Sequence, residues 1–563
     1  MPGADTDPEN GTTPENGVGE DPYVLEDSGT RRAFWADAVA DLILERDPSE
    51  PIVIKGGISP SGVPHFGNMN EIVRGYFVAE VLRERGYEVR QVFTSDDRDP
   101  LRKLPRKLAS LDGEIVDLGD VNAGALGRNL GKPYTDIPDP FGCCDSYGAH
   151  FAALVERSAV LLDIPVEMIS NTERYEDGSF EPITENLLER REQAREVLSA
   201  YQDKVDADYV PFNPICEDCG KVTETVTDVD LEAGTVEYRC TDMEAGEQVI
   251  EGCGHEGRAT LREGKLPWRF EWPAQWQLLG VDHEPFGKDH AEGSWPSGVD
   301  IARSVLDHEP PVPMVYEWFT LDGEAFSSSA GNVILVSEVL EFLEAPVVRY
   351  FFSKDPRKAR DFSIEYADQL VAEFDRLEAT YFGETDAEAG ERERAERVYP
   401  HLVDEIRPER VRIPFSFAAV LGMTDDPALR EEIARREGHI PEDAPEWAVE
   451  DALARVEHAR EWARRTDNAF NYDLKRESMP EVEIDESTAA ALASLADFIE
   501  RGATPEEIQG EIYETARRHD IEVSDFFETG YRLFFDQPEG PKLGTFLGKL
   551  DAEFVLARLR RER

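Results

Sequence analysis

Between Gly57 and Asn68 the chain reads Gly57-Ile58-Ser59-Pro60-Ser61-Gly62-Val63-Pro64-His65-Phe66-Gly67-Asn68. Small residues allow a backbone to approach a bulky anion. A helical pattern begins directly afterwards, and a helix N-terminus presents free N–H groups and partial positive charge suited to polyphosphate. His65, one turn before that helix, can donate to a phosphoryl oxygen as charge develops in a transition state. Far downstream, Ala325-Phe326-Ser327-Ser328-Ser329-Ala330-Gly331-Asn332 supplies hydroxyls and backbone amides ahead of a second helical pattern at Ser337–Leu343. Between these two, Trp268-Arg269-Phe270-Glu271-Trp272-Pro273-Ala274-Gln275-Trp276 sets aromatic walls beside a carboxylate, and Phe286-Gly287-Lys288-Asp289-His290 follows. That combination suits an aliphatic ammonium side chain, whose methylenes pack on rings while its tip meets a π face or an anion. Trp272 and Trp276 read equally well as a core stripe.

Of six cysteines, four fall between Cys216 and Cys253. Such clustering favours a metal over a disulfide framework. Cys216-x-x-Cys219 with Cys240 and Cys253 forms the two halves of a tetrahedral zinc knuckle, the second half split by the acidic, turn-rich stretch Thr241–Gly252. That stretch has to loop out if Cys253 is to reach the metal, and His255 stands as a substitute ligand or a neighbour of the set. A zinc held here would be structural. Cys143 and Cys144 are adjacent, a poor geometry for joint ligation, and read as packed thiols.

The elements that must position these groups are legible. Arg31–Leu44 has helical periodicity, Pro51–Gly57 is a buried strand ending in a glycine turn, Asn68 is placed to cap a helix over Met69–Arg85 that Gly86 stops, and Tyr87–Phe93 is a second strand. Strand, turn, helix, strand is a βαβ unit, the start of a parallel sheet. Ser95-Asp96-Asp97-Arg98-Asp99-Pro100-Leu101-Arg102-Lys103 lies at the end of the second strand, where open α/β sheets bind ligands; its acids either meet a substrate ammonium or cap the next turn. Further on, a helix at Tyr147–Leu162, a strand at Val166–Ile169 and one long charged helix at Ile183–Tyr201 are expected. From Glu344–Arg360 the texture turns helical and stays so, with Glu384–Glu396 either linker or exposed helix.

Composition sets limits on all of this. A chain of 563 residues exceeds one hydrophobic core, so two to four domains are expected. No apolar run approaches the roughly 18 residues of a membrane span, and Met1–Tyr23 has no targeting signature, so a cytoplasmic protein without a membrane partner is expected. Acidic residues number 118 against 60 basic ones, a formal charge of −58 spread along the whole length. At low salt such a surface repels itself and nucleic acid; in molar salt, with a Debye length of about 3 Å, it does neither at range. The distribution points to a halophile's enzyme and leaves an RNA partner open. Disorder is excluded as the general state by 28 Phe, 17 Tyr and 8 Trp.

Taken in order, these segments resemble class I lysyl-tRNA synthetases of the archaeal type. Pro60-Ser61-Gly62 with Pro64-His65-Phe66-Gly67-Asn68 is similar to the HIGH signature in its Pro-Ser-Gly-x-x-His-x-Gly-Asn form, Phe66 replacing isoleucine and Asn68 the final histidine. Ala325–Asn332 is similar to the Lys-Met-Ser-Ser-Ser-Lys-Gly-Asn loop that closes over the triphosphate, with both lysines missing. Trp268–Trp276 and Phe286–His290 resemble the Trp-x-x-Asp-Trp-Pro segment and its Phe-Gly-Lys-Asp-His successor, Glu271 standing for the aspartate.

The resemblance runs from Ile52 to Phe362 and implies an α/β, Rossmann-type parallel-sheet catalytic domain over 23–370 with a zinc-knuckle insertion at 213–260. A disordered acidic extension (1–22) precedes it, and an all-α, tRNA anticodon-binding domain (371–563) follows. It implies attachment of L-lysine to tRNA(Lys) through lysyl-adenylate, with ATP and Mg as cofactor, zinc as structural metal and no DNA partner. Catalysis falls to His65, Asn68, Ser327, Ser328 and Ser329. ATP falls to Pro60, Ser61, Gly62, Pro64, His65, Phe66, Gly67, Asn68, Ala325, Phe326 and the three serines. Lysine falls to Gly57, Ser59, Trp268, His290 and Tyr316. Competing readings are a class I synthetase for glutamate, glutamine or cysteine, a zinc-dependent nucleotidyltransferase without tRNA, and an inactive synthetase-like RNA-binding protein.

Overall fold

The computed structural model describes residues 21–27, 32–202, 205–246, 248–326, 332–476, 478–540 and 542–562. They divide into two compact units, one up to Val336 plus Phe352–Asp361, the other Ser337–Phe351 plus Phe362 onward. Among the described residues no helix is long and apolar enough to cross a membrane.

The first unit is built on a five-stranded sheet. Its elements in chain order are α1 (Trp35–Leu44), β1 (Ile52–Ile58), α2 (Met69–Glu84), β2 (Val89–Ser95), α3 (Tyr147–Leu161), β3 (Glu167–Ser170), α4 (Trp268–Leu279), β4 (His283–Gly287), α5 (Trp295–Ser304) and β5 (Val312–Tyr316). The sheet order is β5-β4-β1-β2-β3 with every pair parallel. A parallel sheet is covered on both faces, which is why β5 reads as a continuous apolar run and β1 as one interrupted only by Lys55 and the glycines. The order reverses between β1 and β4, and such a switch point opens a crevice at the carboxyl ends of the strands. Residues Ile52 to Gly56 of β1 are buried while Gly57 and Ile58 are half-buried at that opening.

Three local expectations shift. The strand expected at Tyr87–Phe93 runs over Val89–Ser95, because Tyr87 donates its N–H to Leu82 O (3.2 Å) in closing α2 around Gly86, at φ 93°. Ile183–Tyr201 is two helices, Glu181–Glu189 and Arg191–Ser199, jointed at Arg190, whose guanidinium reaches Val305 O at 3.0 Å and Asp307 at 2.7 Å. The stretch Glu384–Glu396 resolves into a turn followed by a helix over Ala389–Val398.

An antiparallel insertion separates β3 from α4. Strands Val226–Asp230, Thr235–Arg239 and Glu256–Thr260 form a three-stranded sheet. Thr241–Gly252 does loop out, as a hairpin pairing Met243–Ala245 with Gln248–Ile250. In the second unit every element after Phe362 is helical. Its longest helix, Glu446–Thr466, buries Ala448, Ala452, Val456, Ala459 and Ala463, a small-residue face that permits close packing.

Candidate active site

The loop after β1 is locked by its own side chains. Ser61 donates its N–H to Ser59 O (2.7 Å) in a tight turn, and the Tyr147 hydroxyl donates to Ser61 O (2.9 Å). Phe66-Gly67-Asn68 forms a short 3₁₀ turn leading into α2. Asn68 therefore does not cap α2 with its side chain: helical geometry starts one turn earlier, and Asn68 Oδ1 instead accepts the His65 N–H at 2.9 Å. Gly67 is required by the ring beside it, since a Cβ there would lie 2.9 Å from His65 and 3.5 Å from Phe326. Phe66 is fully buried against Phe319 and Phe352.

The two motifs meet at His65. Its ring stacks on Phe326 with centroids 5.0 Å apart, and Asn332 Nδ2 donates to Ala325 O (3.0 Å), drawing the flanks of the serine segment together. Ser327, Ser328, Ser329, Ala330 and Gly331 lie outside the described residues. Burial lowers the His65 pKa to about 4, so the imidazole is neutral at physiological pH and acts, if it donates, through an N–H.

A cleft of about 1090 Å³ joins Ser59, Ser61 and Gly62 to Trp268, Tyr134, Asp99 and Lys265. Trp268 stacks on Trp272 (5.5 Å, 13°) and lies 5.9 Å from the His290 ring. Gly57 and Tyr316 are not in that lining; they are joined through Glu71, which accepts the Gly57 N–H (3.0 Å) and the Tyr316 hydroxyl (3.2 Å). His65 and His290 also lie outside the cleft lining, although the His290 ring adjoins Trp268, which is part of it.

The model described as tRNA synthetases class I (K) matches residues 33–403. The chain belongs to the class I tRNA synthetases. It is 73% identical over 545 residues to the lysine--tRNA ligase of Halobacterium salinarum (96% of this chain, 99% of that one). Identity is 68% over 544 residues to that of Haloarcula marismortui (97% and 100%) and 34% over 552 residues to that of Pyrococcus horikoshii (94% and 99%).

Several residues of this synthetase site escape sequence reasoning, and one is corrected. Glu271 does not face the cleft as a free carboxylate. It is fully buried, accepting Tyr175 OH at 2.7 Å and the Lys265 ammonium at 2.8 Å. Lys265 also pairs with Asp99. Trp272 and Trp276 belong to the core, their indoles donating to buried Glu284 at 3.0 and 2.5 Å, and Lys55 completes that carboxylate at 2.7 Å. A lysine inside an apolar strand was the available signal, since a buried ammonium demands a buried anion. Among the acids after β2, Asp97 caps the helix Asn171–Glu176 through the Thr172 N–H (2.8 Å), and Asp96 Oδ1 accepts Asn171 Nδ2 (2.8 Å) and Gln275 Nε2 (2.9 Å).

Cys216, Cys219, Cys240 and Cys253 converge, all four sulfurs within 4.8 Å of one another. Cys253 donates its N–H to Cys240 Sγ at 3.4 Å, and His255 turns away to Glu217 (2.9 Å). A second convergence includes Cys143 and Cys144, whose adjacency does not prevent their sulfurs from sharing a focus. Their sulfurs, Asp139 and His150 also lie within 4.8 Å of one another. The adjacent thiols can share a focus because the backbone wraps a carboxylate: Cys143 N and Cys144 N both donate to Asp139 Oδ2, at 2.7 and 2.8 Å.

Proposed function

We propose that this class I synthetase attaches L-lysine to tRNA(Lys). The observation that carries this is likeness to lysine--tRNA ligases across almost the whole chain, 73% and 68% identical over 96% and 97% of it. In the first step a lysine carboxylate oxygen attacks the α-phosphorus of ATP, taken as its Mg²⁺ complex, the α–β bond breaks, and pyrophosphate leaves. In the second the terminal ribose hydroxyl of the tRNA attacks the carbonyl carbon and AMP leaves.

The α2 N-terminus, neutral His65, Asn68 and the segment Ala325–Ser329 receive the triphosphate, His65 donating to a phosphoryl oxygen as charge builds there, while Pro60, Ser61, Gly62, Pro64, Phe66 and Gly67 shape the backbone around it. Gly57, Ser59, Trp268, His290 and Tyr316 hold the lysine. The thiols of Cys216, Cys219, Cys240 and Cys253 suit a structural zinc, and Asp139, Cys143, Cys144 and His150 offer a second site of mixed donors that also fits zinc. Each ion would pin the loop that carries its ligands. The helical unit is assigned to the tRNA anticodon arm, and the spread acidic charge to work in concentrated salt.

ATP–pyrophosphate exchange, measured amino acid by amino acid in molar KCl with tRNA present, tests the assignment. Lysine alone should drive it efficiently; exchange driven by glutamate, glutamine or cysteine, or none at all, overturns it.

A further inference from the structure

A chain of formal charge −58 carries a short reversal of sign beside its cleft. Arg102-Lys103-Leu104-Pro105-Arg106-Lys107 sets four cations and no acid in six positions. Neither the lysine nor the ATP assignment draws on them.

The segment is a fixed ledge. It follows the end of β2, and its apolar members hold it: Leu101, Pro105 and Leu108 are buried while Arg102, Lys103 and Arg106 are exposed. Leu101 donates its N–H to Lys132 O and accepts that of Gly131, both at 2.9 Å, and Arg106 O accepts the Leu118 N–H at 2.9 Å beside the hairpin of Lys107–Ala109 with Ile115–Asp117. The ledge is seated against the first motif, since a Cβ at Gly62 would lie 3.7 Å from Pro105. Arg102, Lys103, Leu104 and Pro105 accordingly line the same cleft as Ser59, Ser61 and Gly62.

These cations are little engaged. Arg102 reaches Glu224 at 3.5 Å with the two side chains 51% and 53% exposed, and among the described residues Lys103, Arg106 and Lys107 form no ion pair. An exposed pair of that length contributes little, so a better anion can take over its arginine. The cleft lining also includes Asp206, Asp208, Glu224, Asp242 and Glu244, from the chain that leads into the insertion and from the insertion itself. A polyanion entering the cleft is repelled by those acids and accepted only along the ledge. The second step of the proposed reaction brings such a polyanion, because the terminal ribose of the tRNA has to reach the adenylate.

We infer that this ledge docks phosphates of the unpaired 3′ end of the tRNA, Arg102 and Lys103 at the cleft and Arg106 beyond its lining, so that the terminal ribose is led towards Ser59 and Ser61. The inference rests on the tRNA assignment and deepens it. Arg102 exchanges the Glu224 carboxylate for a phosphate oxygen, a charge-assisted contact that a planar guanidinium can make with two donors at once. Lys103 adds a point charge. Such contacts set the path of the strand and read no sequence. At a Debye length of about 3 Å only contact pairs persist, so cations fixed on a ledge serve where a diffuse basic surface could not.

The test is binding of labelled tRNA(Lys) to the full-length protein, followed by fluorescence anisotropy across a KCl series in the molar range. Arg102→Ser with Lys103→Ser should weaken binding of the intact tRNA about 5- to 20-fold and make the slope of log Kd against log[KCl] shallower by about 1.4, two single-strand contacts at about 0.7 each. A tRNA(Lys) shortened by its unpaired 3′ nucleotides should bind wild type and variant alike. Arg102→Lys with Lys103→Arg, which keeps both charges, should hold the intact tRNA within about twofold of wild type. If the serine variant binds intact tRNA within twofold of wild type, or loses as much affinity for the shortened tRNA as for the intact one, the ledge has no part in docking the 3′ end and the inference falls. A wild type that binds neither tRNA would instead overturn the tRNA assignment itself.

Discussion

The His65 ring lies nearly parallel to that of Phe326, centroids 5.0 Å apart and planes inclined by 21°. The histidine of the first motif is thus held by the residue that immediately precedes the serine segment of the second. Movement of one is felt by the other.

Removing that imidazole should be costly, and insensitive to pH. His65→Ala is expected to slow adenylate formation roughly 10- to 1000-fold, the scale of losing one transition-state donor. Phe326→Ala, which frees the ring without deleting it, should have a smaller effect in the same direction. Because burial holds the His65 pKa near 4, below its ordinary 6.5, the neutral form persists and the ratio of variant to wild-type rates should stay constant from pH 6 to 8.5. The same depression means that His65 contributes full stability above about pH 6.5 and destabilises the fold as pH falls from there towards 4. Stopped-flow rates that show a His65-dependent inflection near pH 6.5 would refute the neutral imidazole.

Lys265, Glu271 and Asp99 make a prediction about stability. Lys265 and Glu271 are almost completely buried, with side-chain exposures of 3% and 0%. Lys265→Met leaves two carboxylates facing each other without a cation, and breaking such a buried pair costs about 3–5 kcal/mol. The double variant Lys265→Met, Glu271→Gln should recover a substantial part of that loss. Urea unfolding at fixed molar KCl gives the comparison; additive losses would show that the two groups are not energetically coupled.

Two metal ions per chain are expected from protein purified under reducing, chelator-free conditions. Cys216→Ser should lose one and Cys143→Ser the other, each with a drop in thermal stability, because binding to a preformed site adds to folding free energy. Elemental analysis reads both directly. A content that stays at one when Cys143 is replaced would mean that the Asp139, Cys143, Cys144 and His150 set holds no ion.

Folding itself should depend on salt. With a formal charge of −58, dialysis from molar KCl to millimolar salt lengthens the Debye screening from about 3 Å to beyond 30 Å and exposes the whole surface to self-repulsion. Circular dichroism should show loss of helix on dialysis; a folded, active protein in dilute buffer would refute the assignment of its charge to concentrated salt.

What could be read from residue order was whatever local pattern determines. The apolar run Ile52–Ile58, the glycines after it and the helical spacing from Met69 specify β1, the turn and α2 with little help from the rest of the chain. The cysteine spacing likewise specifies a convergence that the hairpin Met243–Ala245, Gln248–Ile250 makes possible. What stayed hidden depends on partners distant in sequence. Lys55 meets Glu284 across 229 positions, and Tyr316 meets Glu71 across 245. Glu271 looked like a substrate ligand because nothing local announces that Lys265 and Tyr175 will close over it. The adjacency of Cys143 and Cys144 misled for the opposite reason: a regular strand or helix would have separated their thiols, but the loop around Asp139 is neither.

The serine segment yields the last prediction, at the point where this chain departs most from the motif it resembles. With alanine at positions 325 and 330, two ammonium groups that would face a triphosphate are absent, and such contacts to developing charge contribute several kcal/mol each in a closed site. Lys288, the nearest cation by motif, already pairs with Glu317 at 2.7 Å and stands 4.9 Å over the Trp318 ring, which limits what it can supply. The Mg²⁺ carried by ATP and the mobile cations of a salt-rich solution then supply charge in place of the two lysines, while the serine hydroxyls and backbone amides fix geometry. It follows that Ala325→Lys should accelerate adenylate formation modestly at the lowest potassium concentration that keeps the protein folded, and by less at molar potassium, where the added ammonium only replaces ions already present. Replacing Ser327, Ser328 and Ser329 together with alanine should slow the reaction at every potassium concentration, because ions cannot restore lost positioning. Stopped-flow measurement across a potassium series separates the two contributions: a triple alanine variant that matched the wild type throughout would reduce the segment to a surface turn with no part in catalysis.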